Sequence, residues 1–116
     1  MTSATKRRYP EALSASWLAA RLGVEPARIE AMRRAGELIA VREPGSTEWR
    51  YPAWQLVDGR PRHGVARVVA AARAAGLDET ALYERLTAPL GLRGGSRLAD
   101  LLVAGRVDEV VAALRA

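Results

Sequence analysis

Arg28, Arg33 and Arg34 fall close together in the stretch PARIEAMRR, and Arg42 and Arg50 follow on either side of a Pro44-Gly45 turn. Guanidinium groups placed along one helix and one hairpin suit one kind of chemistry, contact with the phosphates and base edges of a nucleic acid. Other chemistries lack their reagents. The chain has one histidine, His63, and no cysteine, so disulfides, thiolate nucleophiles and Cys/His metal sets are excluded. No pairing of carboxylates with a nucleophile suggests catalysis, and neither an enzyme, a cofactor nor a metal is expected. Gly94-Gly95-Ser96 stands before a helix, where it could cradle a phosphate. It lacks the Gly-Lys-Ser/Thr ending of a phosphate loop and reads more simply as a turn with an N-cap.

The arginines sit on a pattern that can aim them. LSASWLAARLGVEPARIEAMRRAGEL reads as two short amphipathic helices joined by a glycine turn. Ser14 is suited to cap the first, whose apolar stripe is Trp17, Leu18 and Leu22, and Gly23 ends it. Glu25-Pro26 opens the second, with Pro at a position that needs no N–H. Ile29 and Met32 face inward, with Ala35 near them. At 100° per residue Ala27, Glu30, Ala31 and Arg34 then point away, flanked by Arg28 and Arg33. Leu38–Val41 reads as a strand, Glu43–Thr47 as a turn, and Trp49–Tyr51 as the returning strand stopped by Pro52. A hairpin so placed would act as a wing, with Arg42 and Arg50 reaching phosphates. Ala53–Val57 reads as a short docking segment anchored by Trp54, and core packing is the expected role of all three tryptophans.

Residues 1–12 are polar, contain Lys6-Arg7-Arg8, and are expected to form a basic flexible arm able to lie along phosphates; a plain disordered tail is the alternative. Residues 58–64 read as a linker. From 65 to 116 the pattern is helical. Val65, Val68, Val69 and Ala72 recur at helical spacing; Asp78 caps a helix with Leu82, Tyr83 and Leu86 inward; Pro89 ends it. Ser96 caps the next, around Leu98, Leu101 and Leu102, and Gly105 breaks it. Val107, Val110, Val111 and Leu114 form a last stripe. The fold class expected is mainly α with a small β-hairpin. It comprises a winged helix-turn-helix head over 13–57 and a small carboxy-terminal helical bundle over 65–116.

The chain has 116 residues, 49% of them hydrophobic, and a formal charge of +5. Residues 1–62 carry 11 of its 18 basic and 7 of its 13 acidic side chains, so most of the excess charge lies in the amino-terminal half. A basic face attracts phosphate without reading sequence. Because 17 of the 18 basic residues are Arg and Ala is abundant, GC-rich coding offers a second account of that charge. Glu25 and Glu30 oppose phosphate at the second helix, although a Glu can accept from cytosine N4. No apolar run approaches the length of a membrane span, and no secretion signal follows Lys6–Arg8, so a cytoplasmic protein with no membrane partner is expected.

Pro89, Leu92, Gly94-Gly95, Leu98-Ala99-Asp100-Leu101-Leu102, Gly105 and Asp108-Glu109-Val110-Val111 make the second half resemble the carboxy-terminal domain of Xre/MbcA/ParS-type antitoxins. The Leu13–Leu22 helix, the Gly23-Val24 turn and the Gly36-Glu37-Leu38 exit resemble the heads of excisionase and MerR-type regulators. Tyr51–Leu56 is similar to the segment joining such a head to that domain. The resemblance implies an antitoxin that binds a RES-type toxin through its helical domain and represses its own operon as a homodimer. On that expectation Arg28, Glu30, Arg33, Arg34, Arg42 and Arg50 meet promoter DNA. Leu98, Leu101, Val107, Val110 and Val111 build the partner-binding module. Two departures stand out. The outer face of the second helix is more acidic than in such heads, and the chain ends just past Leu114. The alternatives are a protein-interaction or dimerisation module without DNA, favoured by Glu25 and Glu30, and a standalone regulator without a toxin.

Overall fold

The computed structural model describes residues 11–90 and 97–115. Strand β1 (Ala12–Ser14) leads into helix α1 (Ala15–Leu22) and helix α2 (Pro26–Arg34); β2 (Val41–Arg42) and β3 (Trp49–Pro52) follow. The three strands form an antiparallel sheet in the order β1-β3-β2, with Leu13 opposite Tyr51 and Val41 opposite Arg50. A 3₁₀ turn (Ala53–Gln55) precedes a second hairpin, β4 (Leu56–Val57) and β5 (Arg60–Pro61). Helices α3 (Val65–Ala74), α4 (Glu79–Thr87), α5 (Leu98–Val103) and α6 (Val107–Arg115) complete the described chain. The architecture is mainly α with a small β component.

Local signals set most helix ends. Ser14 Oγ accepts from the Trp17 N–H at 3.1 Å, Gly23 closes α1 in the left-handed conformation, and Pro26 is the first residue of α2. Asp78 Oδ1 accepts from the Ala81 N–H at 2.8 Å and caps α4. In α3 and α6 the residues at i, i+3, i+4 and i+7 are buried: Val65, Val68, Val69 and Ala72, with Ala71 beside them, share one core with Val107, Val110, Val111 and Leu114. Gly64, at φ 95°, lets α3 approach this stripe. A β-carbon there would land 2.9 Å from Val107 Cγ1 and closer still to Cγ2.

Several elements differ from the sequence-based expectation. Ala12–Ser14 is a strand where a flexible arm is expected to end; the arm's basic residues lie outside the described residues, as do Leu92, Gly94, Gly95 and Ser96. Of Leu38–Val41 only Val41 lies in a strand, yet all four residues are buried. Residues 58–64 are not a plain linker. Asp58 and Gly59 both take positive φ, 51° and 75°, in the two-residue turn of the β4–β5 hairpin. That conformation matches the twist of the flanking strands and favours Asp-Gly. Trp17 is 49% exposed instead of packed, and Ala35 is exposed.

The two halves meet along Leu38–Val41. Leu38 and Ala40 enter the core of the amino-terminal half with Leu18, Ile29 and Tyr51, whereas Ile39 enters the helical core with Val68, Leu86 and Val110. Val41 joins Ala12 and Tyr83 in a third cluster, with Trp54 packed against it. Gln55, fully buried, completes the junction. The Ile39 N–H donates to Gln55 Oε1 at 2.7 Å, and Gln55 Nε2 donates to the carbonyls of Ile39 at 2.8 Å and Pro52 at 3.1 Å. The amide thus does for Ile39 what a neighbouring strand would do, satisfying both backbone groups away from water. Gln55→Leu keeps the volume but leaves those groups without partners. It is expected to destabilise the protein by about 3 kcal/mol, measured by urea unfolding. A cost below about 0.5 kcal/mol would show the pairing to be dispensable.

Candidate nucleic-acid interface

The outer side of α2 begins with Pro26, Ala27 and Arg28, all exposed, and continues through Ala31 to Arg34, both exposed. The small side chains at 27 and 31 leave room for close approach, and the arginines stand at either end. Glu30 lies between them, half-exposed. Its carboxylate accepts from Arg33 Nη2 at 2.5 Å and from Arg34 Nε at 3.0 Å. The hydrogen bond from Arg33 holds the Glu30 pKa below its ordinary value, helped by the charges of both arginines and opposed by partial burial. Glu30 is therefore a neutralised acid on this face.

Arg33 departs from its expected outward position. It is 9% exposed, with Nη1 3.4 Å from Glu79 Oε2 on α4, and its guanidinium lies over the Trp49 ring at 4.3 Å from the centroid. Burial works against its charge, but the hydrogen bonds and charge of Glu30, with Tyr51 and Glu79, outweigh that and raise its pKa. Burial likewise pushes the neighbouring Tyr51 phenol up to about 12, although Arg33 pulls the other way. At 100° per residue Arg33 lies beside Ile29 and Met32 as much as beside Arg34, and the second half covers that side.

In the hairpin, Arg42 is exposed and lies over Trp49, its cross-strand partner, at 4.6 Å. Arg50 is half-buried, with Nη2 3.7 Å from Glu48. Of the six residues expected to meet DNA, the structure leaves Arg28, Arg34 and Arg42 outward. It locks Glu30, draws in Arg33 and partly covers Arg50. The residues expected to serve a partner lie inside: Leu98, Val107, Val110 and Val111 are buried, and Leu101 packs partly buried against the same core. They build the helical module, and its surface is made by other residues.

Three further groups escape sequence reasoning. Trp17 and Arg21, four residues apart on α1, form an exposed pair with the guanidinium 5.5 Å from the ring centroid. Arg60 is exposed on β5, and the hairpin tip at Gly59 lies beside the Arg21 carbonyl at the end of α1. Arg73, on α3, donates through Nη2 to the carbonyls of Arg33 and Arg34 at 3.2 Å each. It thereby caps the carboxy-terminal end of α2 from the other half of the chain. The i, i+4 spacing of Trp17 and Arg21 was a usable signal; nothing local marks Arg73 as a cap.

Among the described residues there is no cluster of His, Cys, Asp or Glu able to hold a metal ion, and no helix is long and apolar enough to cross a membrane. No protein-family model matches the chain, and no curated protein matches it. Among solved structures the chain is similar to the NMR structure of Rv2175c, with a TM-score of 0.75. The identity is 22%, over 90% of this chain and 78% of that one, so the likeness is one of fold alone.

The two neighbouring arginines are expected to behave differently. Arg33→Ala leaves Glu30 and Glu79 without their shared cation and should lower stability by about 2 kcal/mol in urea. Arg34→Ala, on an exposed side chain, should cost less than about 0.5 kcal/mol. The Glu30 contribution has the sign of a depressed carboxylate. It is complete above the ordinary carboxylate range and lost as pH falls through the lowered native pKa. Arg33→Ala should therefore flatten the acid limb of the stability profile, and an unchanged limb would contradict the pairing.

Proposed function

We propose that the amino-terminal half is a winged helix-turn-helix that binds duplex DNA. In this reading α2 enters the major groove and the β2–β3 hairpin serves as the wing. One observation carries it: the outward side of α2 consists of small residues bracketed by Arg28 and Arg34, and the exposed Arg42 stands on the hairpin that follows. The order β1-β3-β2 supports it, because zipping the hairpin to β1 at the start of α1 fixes the wing relative to both helices. The pairing of Glu30 with two arginines supports it as well. An acid whose charge is already matched repels phosphate less than a bare one.

A regulator of its own promoter, acting as a homodimer, is the biological form of this reading. The narrower form, an antitoxin held against a RES-type toxin, rests on the resemblance of residues 89–111. With Leu98, Val107, Val110 and Val111 interior, such a contact falls to exposed side chains of the helical half, among them Leu90 and Val103. The neighbouring reading frame decides between the two forms: a RES-type toxin gene beside this one favours the narrower, and its absence removes it.

Fluorescence anisotropy on duplex DNA from upstream of the gene tests the proposal. Affinity should fall steeply with salt, since phosphate contacts release counterions. Replacing Arg28, Arg34 and Arg42 together by Ala should preserve the circular dichroism spectrum, weaken binding by about a hundredfold, and make the log–log salt slope shallower by about 3. Unchanged affinity in the triple variant, or no binding by the parent protein at low salt, would overturn the assignment.

A further inference from the structure

Where the halves meet, a cavity of about 170 Å³ opens between the segment running from Arg33 to Ala40 and the α3–α4 corner from Val69 to Leu82. Leu38, Val69 and Leu82 give it an apolar wall, and Arg33, Arg73, Asp78 and Glu79 give it a polar one. Its volume is close to the ~150 Å³ that accommodates a benzene-sized ligand in an apolar cavity. The polar wall is not uniform. Arg33 and Glu79 are paired with each other at 3.4 Å and largely cancel. That leaves one cation, Arg73, and one anion, Asp78. Arg73 uses only Nη2 in capping α2, so Nε and Nη1 have no hydrogen-bonding partner among the described residues. Asp78 uses only Oδ1 in capping α4, so Oδ2 is likewise unpartnered among them.

We infer that this cavity is a binding site for a small zwitterion with an apolar side chain, of the class of a branched or aromatic α-amino acid. Arg73 and Asp78 are both exposed, at the solvent side of the cavity; a ligand of one sign would pair with one of them and leave the other to water. A ligand bearing a carboxylate and an ammonium matches both, while its side chain covers the Leu38–Val69–Leu82 wall. The cavity size limits that side chain to a branched aliphatic group or a single ring. Because the walls come from both halves, an occupant ties them together and raises the melting temperature. The site stands whether or not the amino-terminal half binds DNA.

Calorimetric titration of the full chain with L-leucine and with L-phenylalanine tests it, with backbone amide shifts locating the site. At least one of the two is expected to bind, shifting the amides of Gly36, Leu38 and Leu77 and raising Tm. For the ligand that binds, its analogue without the ammonium, its analogue without the carboxylate, and glycine should each bind at least about tenfold more weakly. Ala72→Leu, which fills the cavity from α3, should abolish binding. Asp78→Asn, which retains the helix cap, should weaken the amino acid by about tenfold, so the inference remains testable if the filled variant does not fold. No heat and no amide shift with either amino acid at millimolar concentration would overturn the site. Binding by an analogue as tight as the amino acid, or undiminished binding in Asp78→Asn, would overturn the ligand class.

Discussion

Between the last turn of α2 and the first residue of β2 the chain passes through Leu38, Ile39, Ala40 and Val41 with almost no solvent on either side. A segment apolar on both sides must be covered on both sides, and the two halves of the chain are what cover it. Leu38 and Ala40 turn into one core and Ile39 into the other, so neither half closes its interior alone. Backbone groups at such a place have no water to bond, and with no strand alongside Ile39 the Gln55 amide takes that part. The position of α2 follows from this junction, because the helix is anchored at its carboxy-terminal end by what comes next in the chain. Arg73 and the Arg33–Glu79 pair reinforce the same place from the outside.

An arginine-rich sequence suggests a broad positive face, but part of that charge is taken up by contacts between elements of the fold. Arg33 joins α2 to α4 across the ring of Trp49, and Arg73 caps α2. What remains outward on the head is narrower: Arg28, Arg34 and Arg42, with Arg21 and Arg60 at the end of α1 and on the second hairpin. Glu30, though half-exposed, is matched in the same way, because its carboxylate is held by two arginines. The same helix is thus bound to the rest of the protein by Arg33, while its neighbour Arg34 stays on the surface.

Features with local causes were legible in the residues. Ser14, Gly23, Pro26, Pro52 and Asp78 end or begin elements because their side chains or fixed dihedrals act within a few positions. The stripes of α3 and α6 were legible because burial on one side of a helix leaves a repeat. Features with distant causes were not. Leu38–Val41 has the composition of a strand, and only the packing of the second half makes most of it a buried connection. Arg33 and Arg34 are indistinguishable as neighbours until Glu79, far along the chain, selects one of them. β1 is three residues long and is defined by its pairing with β3, far along the chain. The Asp58-Gly59 turn was written in the sequence as a hairpin signal, but two-residue strands on either side give it no alternation to confirm it.

In the proposed reading the outward side of α2 and the adjacent strand β2 are the surface that meets a duplex. The most direct measurement is a ¹⁵N-resolved titration of the protein with a short DNA duplex, following every backbone amide and arginine side chain. The largest shifts are expected on Ala27, Arg28, Ala31, Arg34 and Arg42, while the interior of α5 and α6 stays still. Shifts confined to the helical half, or none at low ionic strength, would contradict that reading.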